Sequence, residues 1–396
     1  MSNENSSTTA GEAKGIFRNN DGEGTRTSTL PRITDARPPR WCLTIFALTA
    51  GSLLLYLAFR LFPVFADWFN RTIAQALRAV MGILTAWLPL SLAECMLILS
   101  PLALIFLIYR AIRYHCGSWR QTRNYIFRIL AVVCAFLIIF IWNFSAGYFT
   151  PTIDDSQKLN LERSQVSAEE LYKTSLILVE KINSEVENID FLDKDFSQMP
   201  YSREEMNRKL LKAYQNFSQK YTFLSTFPSR VKPVMLSEWM SYTHITGVYS
   251  YFTGEANLNV NFPDYTLPFT AAHELAHQRG IARENEANFV AFLVCTESED
   301  PYIRYSGYLS LYEFVASALY RADWELYKQS YATLELQVRY EEYAYNQFYQ
   351  KYQNSKLGSI SNAVNDTYLK ANGTEGTRSY GLVVDLAVAY YRDILS

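Results

Sequence analysis

Three apolar runs near the N-terminus limit what this chain can fold into. Trp41–Phe59 is 19 residues without a charge, Leu88–Tyr109 carries only Glu94, and Ile129–Phe144 has no charge and extends to Tyr148 through neutral residues. A helix rises about 1.5 Å per residue, so roughly 20 apolar residues cross the ~30 Å hydrocarbon of a bilayer. Core helices of a soluble protein rarely supply three such runs so close together. The expectation is three transmembrane helices, at about 41–59, 88–109 and 126–148.

The segments around these runs set the expected topology. Phe65, Phe69, Ile73, Leu77, Val80, Leu84 and Trp87 recur at helical spacing, with Arg71, Gln75 and Arg78 between them. This predicts an amphipathic helix over 65–87 lying in the membrane interface, because two arginines make a fourth span costly. Arg110, Arg113, Arg120, Arg123 and Arg128 lie between the second and third runs, and Arg37 and Arg40 precede the first. Lysine and arginine mark cytoplasmic segments. The chain therefore reads as a multi-pass cell-membrane protein with lipid as a partner, its N-terminus cytoplasmic and everything after residue 148 extracytoplasmic. Residues 1–40 are polar and almost without apolar side chains, which predicts a disordered cytoplasmic tail. Glu94 reads as a carboxylate near the outer interface, bonded to Ser91 or to a helix end.

From 149 to 396 the chain has the character of a soluble, mostly helical domain. Ser167-Ala168-Glu169-Glu170 and Ser202-Arg203-Glu204-Glu205 match capping boxes, predicting helices over 168–187 and 203–221. Residues 245–262 are β-branched and aromatic with Gly254 as a turn, a hairpin or edge strand. Further helices are expected near 268–279, 282–295, 302–320, 324–353 and 380–394, with 362–376 an irregular connection. The fold class expected is mainly α with a small β element (α+β). Charge excludes one partner class: 37 basic and 39 acidic side chains leave a net −2, so there is no basic field for nucleic acid. None of the five cysteines is spaced Cys-x-x-Cys, which leaves no cysteine metal or redox motif.

The chemistry sits at His273-Glu274-Leu275-Ala276-His277, which takes two of the chain's four histidines. Histidines at i and i+4 stack on one helix face, within reach of one small cation. The glutamate after the first histidine projects beside that cation, where it can take a proton from a bound water. A catalytic zinc site needs a third protein ligand and an open position. Gly280 permits a turn three residues after His277, and Glu284, Glu286 and Glu297 are the acids nearby. Helix-face geometry favours Glu284, because Asn288 then lies one turn on, placed to hold a ligand histidine by hydrogen bond. Glu286 points to another face.

His-Glu-x-x-His followed by Glu284-Asn285-Glu286-Ala287-Asn288 resembles the gluzincin type of zincin metallopeptidase. The longer strings Phe252-Thr-Gly-Glu-Ala-Asn-Leu-Asn and Pro268 to Glu284, with Tyr305-Ser-Gly-Tyr-Leu and the three apolar runs, resemble a bacterial membrane family, domain of unknown function 3810. The resemblance spans most of the chain from about residue 41. It implies a zincin-like fold over 149–396 and one zinc ion held by His273, His277 and Glu284, with no substrate attached. The spacing from His277 to Glu284 is shorter than in better-known gluzincins.

Such a site would hydrolyse a peptide or amide bond with Glu274 as general base. His244, Tyr249, Tyr305 and Tyr308 are candidates to stabilise the oxyanion. An extended strand over 255–261, with Glu255, Asn257 and Asn259 on one face, is the expected docking edge for a peptide or protein substrate. Two other functions fit the same residues: a membrane sensor or scaffold whose metal site is structural or vestigial, and a metal hydrolase acting on a non-peptide amide of the cell envelope.

Overall fold

The computed structural model describes residues 38–115, 117–192, 194–376 and 382–395. The expected disordered tail therefore lies outside the described residues, except for Pro38–Arg40. Helix makes up 69% of the structure beside one small sheet, which fixes the class as mainly α with a minor β element.

Among the described residues, three helices are long and apolar enough to cross a membrane: α1 (Arg40–Leu61), α4 (Leu92–Arg110, continued by a π-helical stretch to His115) and α5 (Trp119–Asn143). Most of their large apolar side chains are exposed, as a lipid-facing surface requires. α1 packs along α5, with Phe46 edge-on to Phe127 at 6.0 Å and Trp142 Nε1 donating to Ser52 Oγ at 3.0 Å. The third helix starts at Trp119 rather than near 126, because Ser118 caps it by accepting from Gln121 N. It ends at Asn143, and a short 3₁₀ turn, Ser145–Tyr148, follows.

Between α1 and α4 the chain is helical almost throughout: α2 (Pro63–Phe69), a π-helical turn (Asn70–Ala74) and α3 (Gln75–Ala86). Trp68, Ile73, Leu77, Val80 and Leu84 are exposed, while Asn70, Ala74, Arg78 and Gly82 are buried. The amphipathic helix is present, but its polar side is a packing surface rather than a wet one. Arg78, placed by the sequence on a solvated face, is completely buried.

The remaining helices enclose one large core. α6 (Ala168–Val186) buries Leu171, Leu178, Val179 and Ile182 against α11 (Pro301–Ala322), and its Ser167–Glu170 capping box is complete. α7 (Arg203–Lys220) buries Met206, Leu210, Tyr214 and Phe217 at helical spacing; Ser202 caps it, without the reciprocal glutamate bond. α9 (Thr266–Gln278) and α10 (Glu284–Thr296) lie at the centre, and α15 (Val383–Leu395) covers α10 and α11. The single helix expected over 324–353 is two, α12 (Trp324–Ala332) and α13 (Leu336–Gln350). The irregular connection expected over 362–376 is a correction of larger consequence: most of it belongs to α14 (Lys356–Ala371), started by Ser355 accepting from Leu357 N and Gly358 N. Its asparagines and threonine hid the helical spacing of Leu357, Ile360, Val364 and Tyr368.

The sheet has three strands, β1 (Val231–Pro233), β2 (Gly247–Ser250) and β3 (Glu255–Leu258), in the order β1-β3-β2. β1 runs parallel to β3, with Val231 opposite Ala256, and β2 antiparallel, with Val248 opposite Asn257. A short helix, α8 (Ser237–Ser241), connects β1 towards β2. The docking edge expected over 255–261 is thus not an edge. β3 is the central strand, and Glu255, Asn257 and Asn259 are all buried. Glu255 pairs with Lys232 Nζ at 2.5 Å and accepts from Leu92 N and Ala93 N, capping the start of α4. Asn257 and Asn259 donate to the carbonyls of Val248 and Ile245. The edge strands are β1 and β2.

Candidate metal centre

α9 is buried on nearly every side, so its polar residues need partners. His273 and His277 lie one turn apart with perpendicular rings, centroids 4.6 Å apart. Gly280, at φ +98°, reverses the chain just past the end of α9, a conformation open to glycine and strained for other residues. α10 then returns alongside α9, bringing Glu284 Oε2 to 3.3 Å from His273 Nε2 and 3.5 Å from His277 Nε2. One ligand atom from each of the three residues falls within 4.8 Å of the others. Of the two other acids, Glu286 accepts from Arg283 Nη1 at 2.8 Å and Ile153 N at 3.2 Å, and Glu297 pairs with Lys220 at 2.8 Å. Both are occupied elsewhere.

The donor set suits a borderline-soft divalent cation such as zinc. His277 Nδ1 lies 2.7 Å from the Ile281 carbonyl, which with the proton on Nδ1 leaves the Nε2 lone pair facing Glu284. The support expected from Asn288 is absent: Asn288 Nδ2 and His273 Nδ1 are both buried without a hydrogen-bond partner. The fixed histidine is the second one, and a backbone carbonyl of the turn fixes it.

With three such groups so close, their protonation is coupled. Burial pushes the His277 imidazole down, but the adjacent Glu284 carboxylate outweighs this and lifts it to about 9. Burial pushes Glu284 up, yet the His277 charge and the hydrogen bonds from both histidines hold it well below the usual carboxylate range. The turn thus stores a negative charge that a proton on His277 neutralises, or that a cation would. Glu274 is raised to about 7 by burial, moderated by the two histidines. The Tyr249 backbone N–H donates to its carboxylate, whose Oε2 has no partner. Gly247 of β2 crosses directly over it; a Cβ there would lie 2.6 Å from Glu274 Oε1.

Glu274, His277 and Glu284 open into a cavity of about 860 Å³. β2 and the residues before it form one wall, Phe144 and Tyr148 another, and Ser361, Val364, Asn365 and Tyr368 of α14 a third. Of the predicted oxyanion candidates, Tyr249 and His244 line this cavity, with His244 Nε2 2.9 Å from the Tyr352 carbonyl. Tyr305 and Tyr308 do not line it. Tyr305 is buried in the core with its hydroxyl on Glu341, and Tyr308 packs against Phe292 at 6.1 Å. Tyr148, Tyr251 and Tyr368 were not singled out in the sequence and do line the cavity. Phe144 and Tyr148 end the third apolar run, so hydropathy reads them as lipid contacts.

The turn is held by residues that precede the domain. Asn70 Nδ2 donates to the Gly280 carbonyl at 3.0 Å. Arg78 donates to Asn70 Oδ1 at 3.0 Å, to the Asn70 carbonyl at 2.8 Å and to the Asn143 carbonyl at 2.6 Å. Burial lowers this guanidinium to about 10, so it stays charged near neutrality. Gly82 meets Gln278, whose Nε2 donates to the Gly254 carbonyl at 2.7 Å, and Arg283 donates to the carbonyls of Tyr148 and Thr150.

The fold and cluster define a class: a helical membrane protein whose two central helices, α9 and α10, bring a His–His–Glu cluster to the wall of a cavity. The chain belongs to the protein family of unknown function DUF3810, whose model matches residues 69–388. That match takes in α3 to α5 as well as the cluster, so two of the three apolar helices and the domain fall within one family model, and α1 lies before it. No curated protein and no solved structure matches the chain.

Proposed function

We propose that this protein is a membrane-anchored, zinc-dependent hydrolase of peptide or amide bonds, with His273, His277 and Glu284 as ligands. One observation carries the reading: three ligand atoms converge within 4.8 Å while the Glu274 carboxylate, buried and raised to about 7, opens into the same cavity. Zinc bound there would supply Lewis acidity and a water acidified towards neutrality. Glu274 would take a proton from that water and return it to the leaving amine. The Tyr249 N–H orients the carboxylate, and Gly247 leaves room for it. The outer edge of β2, which no further strand flanks, would offer its remaining backbone groups to an extended substrate, taking the role the sequence assigned to 255–261. The low exposure of the cluster limits competing water.

For the membrane we infer three spans with the N-terminus cytoplasmic, the metal domain on the opposite side and α2–α3 lying in the interface. The arginine-rich connection between α4 and α5 and the exposed apolar stripe of α3 support this. The test is metal content of the full-length protein in detergent or nanodiscs. About one zinc per chain is expected in the wild type and in Glu274→Gln, with loss in His273→Ala and in Glu284→Ala. Full occupancy in His273→Ala sinks the site; amide hydrolysis surviving in Glu274→Gln sinks the mechanism.

A further inference from the structure

The wall of the cavity formed by α14 has a second face. Leu357 and Ile360 lie off the cavity and Val364, which also lines it, continues them at i, i+3 and i+7; the three are 52%, 61% and 64% exposed. A few residues before the cavity wall that begins at His244, Met235 and Leu236, just before α8, and Trp239 within it are 56%, 43% and 69% exposed. Six large apolar side chains in two such patches call for a covering surface. The fold indicates which one. Both patches adjoin helices apolar enough to cross a membrane. Glu94, in the first turn of α4, accepts from Met235 N at 2.9 Å and Leu236 N at 2.8 Å. Tyr368 of α14 packs on Phe140 of α5, ring centroids 6.2 Å apart, and its hydroxyl meets that of Tyr148 at 3.2 Å. The two patches are also joined to each other, since His244, just after α8, approaches Gly358 of α14 and bonds the Tyr352 carbonyl.

Depth points the same way. At about 1.5 Å per residue the 25 residues of α5 extend roughly 37 Å, more than the ~30 Å hydrocarbon. Its first turns hold Arg120, Arg123 and Arg128, which belong at the aqueous end. Phe136 and Phe140 then fall within the apolar part of the span. They contact Phe252 and Tyr251 respectively, at 5.0 Å each, and Phe140 also contacts Tyr368. Elements that touch a span at this level sit against the bilayer.

We propose that α14 and the 235–239 segment dock on the lipid surface, Leu357, Ile360, Val364, Met235, Leu236 and Trp239 entering the headgroup and upper acyl region, so that the mouth of the cavity opens along the bilayer. A ligand reaching Glu274 then arrives along the membrane surface rather than from bulk water. The occupant is lipid, by continuity with the lipid-facing helices α4 and α5; a second copy of the chain or another protein is the alternative that the test separates. The proposal does not depend on the metal.

The experiment uses the full chain with its five cysteines replaced by alanine, reconstituted in nanodiscs of phosphatidylethanolamine and phosphatidylglycerol. Single nitroxides replace Leu357, Ile360, Trp239, Asn362 and Ser359 in turn, and their relaxation by oxygen and by a water-soluble nickel chelate is read by electron paramagnetic resonance. Oxygen partitions into lipid and the chelate into water. The expected oxygen-to-nickel ratio is severalfold higher at 357, 360 and 239 than at 359 and 362, which lie at least about 100° round α14 from its apolar stripe. Ratios at 357 and 360 equal to that at 359 overturn the proposal. Shielding of both positions from both reagents overturns it in favour of a protein contact.

Discussion

At the scale of single residues, the approach of Gly247 to Glu274 makes a separable prediction. In Gly247→Ala the new methyl must displace the carboxylate, because the space it needs is held by Glu274 Oε1 and Cγ. Metal content is expected to stay at the wild-type level while amide hydrolysis falls at least ~10-fold, about 1.4 kcal/mol of lost transition-state stabilisation. A joint loss of metal and activity would mean that β2 had moved as a whole. A second prediction concerns Glu342, raised to about 7 by burial, with Tyr331 opposing the shift and Glu341 adding to it. A carboxyl whose folded value exceeds its unfolded value gives its full stability below the unfolded value, near 4.5, and loses it as pH rises through about 7. Glu342→Gln is therefore expected to leave thermal stability at pH 4.5 unchanged and to raise it at pH 8 by about 1–3 kcal/mol, read by scanning calorimetry. The sequence disclosed the residues whose spacing is itself the signal. His273, His277 and Glu284 meet because helix period and one glycine turn dictate it. Tyr148 and Tyr368 meet across the chain, hydroxyl to hydroxyl at 3.2 Å, and nothing local to either reports it.

At the scale of elements, the second apolar helix and the sheet are stapled together from both sides. Glu255 of β3 caps α4, Glu94 of α4 holds the two amides before α8, and Lys232 of β1 bridges Glu255 and the Leu90 carbonyl at 3.0 Å. Lys232→Met leaves Glu255 buried without its counter-charge, at an expected cost of about 3 kcal/mol in chemical denaturation. A cost below ~1 kcal/mol would show that the α4 amides alone suffice. This arrangement explains why the edge strand was misplaced from sequence. The alternation Glu255, Asn257, Asn259 reads as a solvated face, since acids and amides usually are. Here they are buried, satisfied by Lys232, by helix amides and by backbone carbonyls of the chain next to them, none of which is visible in the local pattern. α14 was missed for the opposite reason: its apolar residues keep helical spacing, but no soluble core lies behind them, and the polar residues between them read as a loop.

For the whole molecule, the division into a membrane part and a domain is clearer in the sequence than in the structure. Hydropathy gave a boundary near 148, and the character of the chain does change there. Yet the turn that carries Glu284 leans on Asn70, Arg78 and the carbonyl of Asn143, all before that boundary. Residues 150–396 expressed alone would lose that support and expose the buried faces of α9 and the sheet, so this fragment is expected to bind zinc at least ~100-fold more weakly than the full chain, about 2.7 kcal/mol, in a chelator competition. Wild-type affinity in the fragment would show that the turn holds itself. Asn70→Ala in the full chain makes the same measurement with every element present, and is expected to fall between the two. On the proposed reading this feature implies an order of events in the life of the protein. Asn70 and Arg78, which brace the turn, are synthesised before the three ligands. Insertion of the apolar helices would then precede ripening of the site, and the ion would be acquired last.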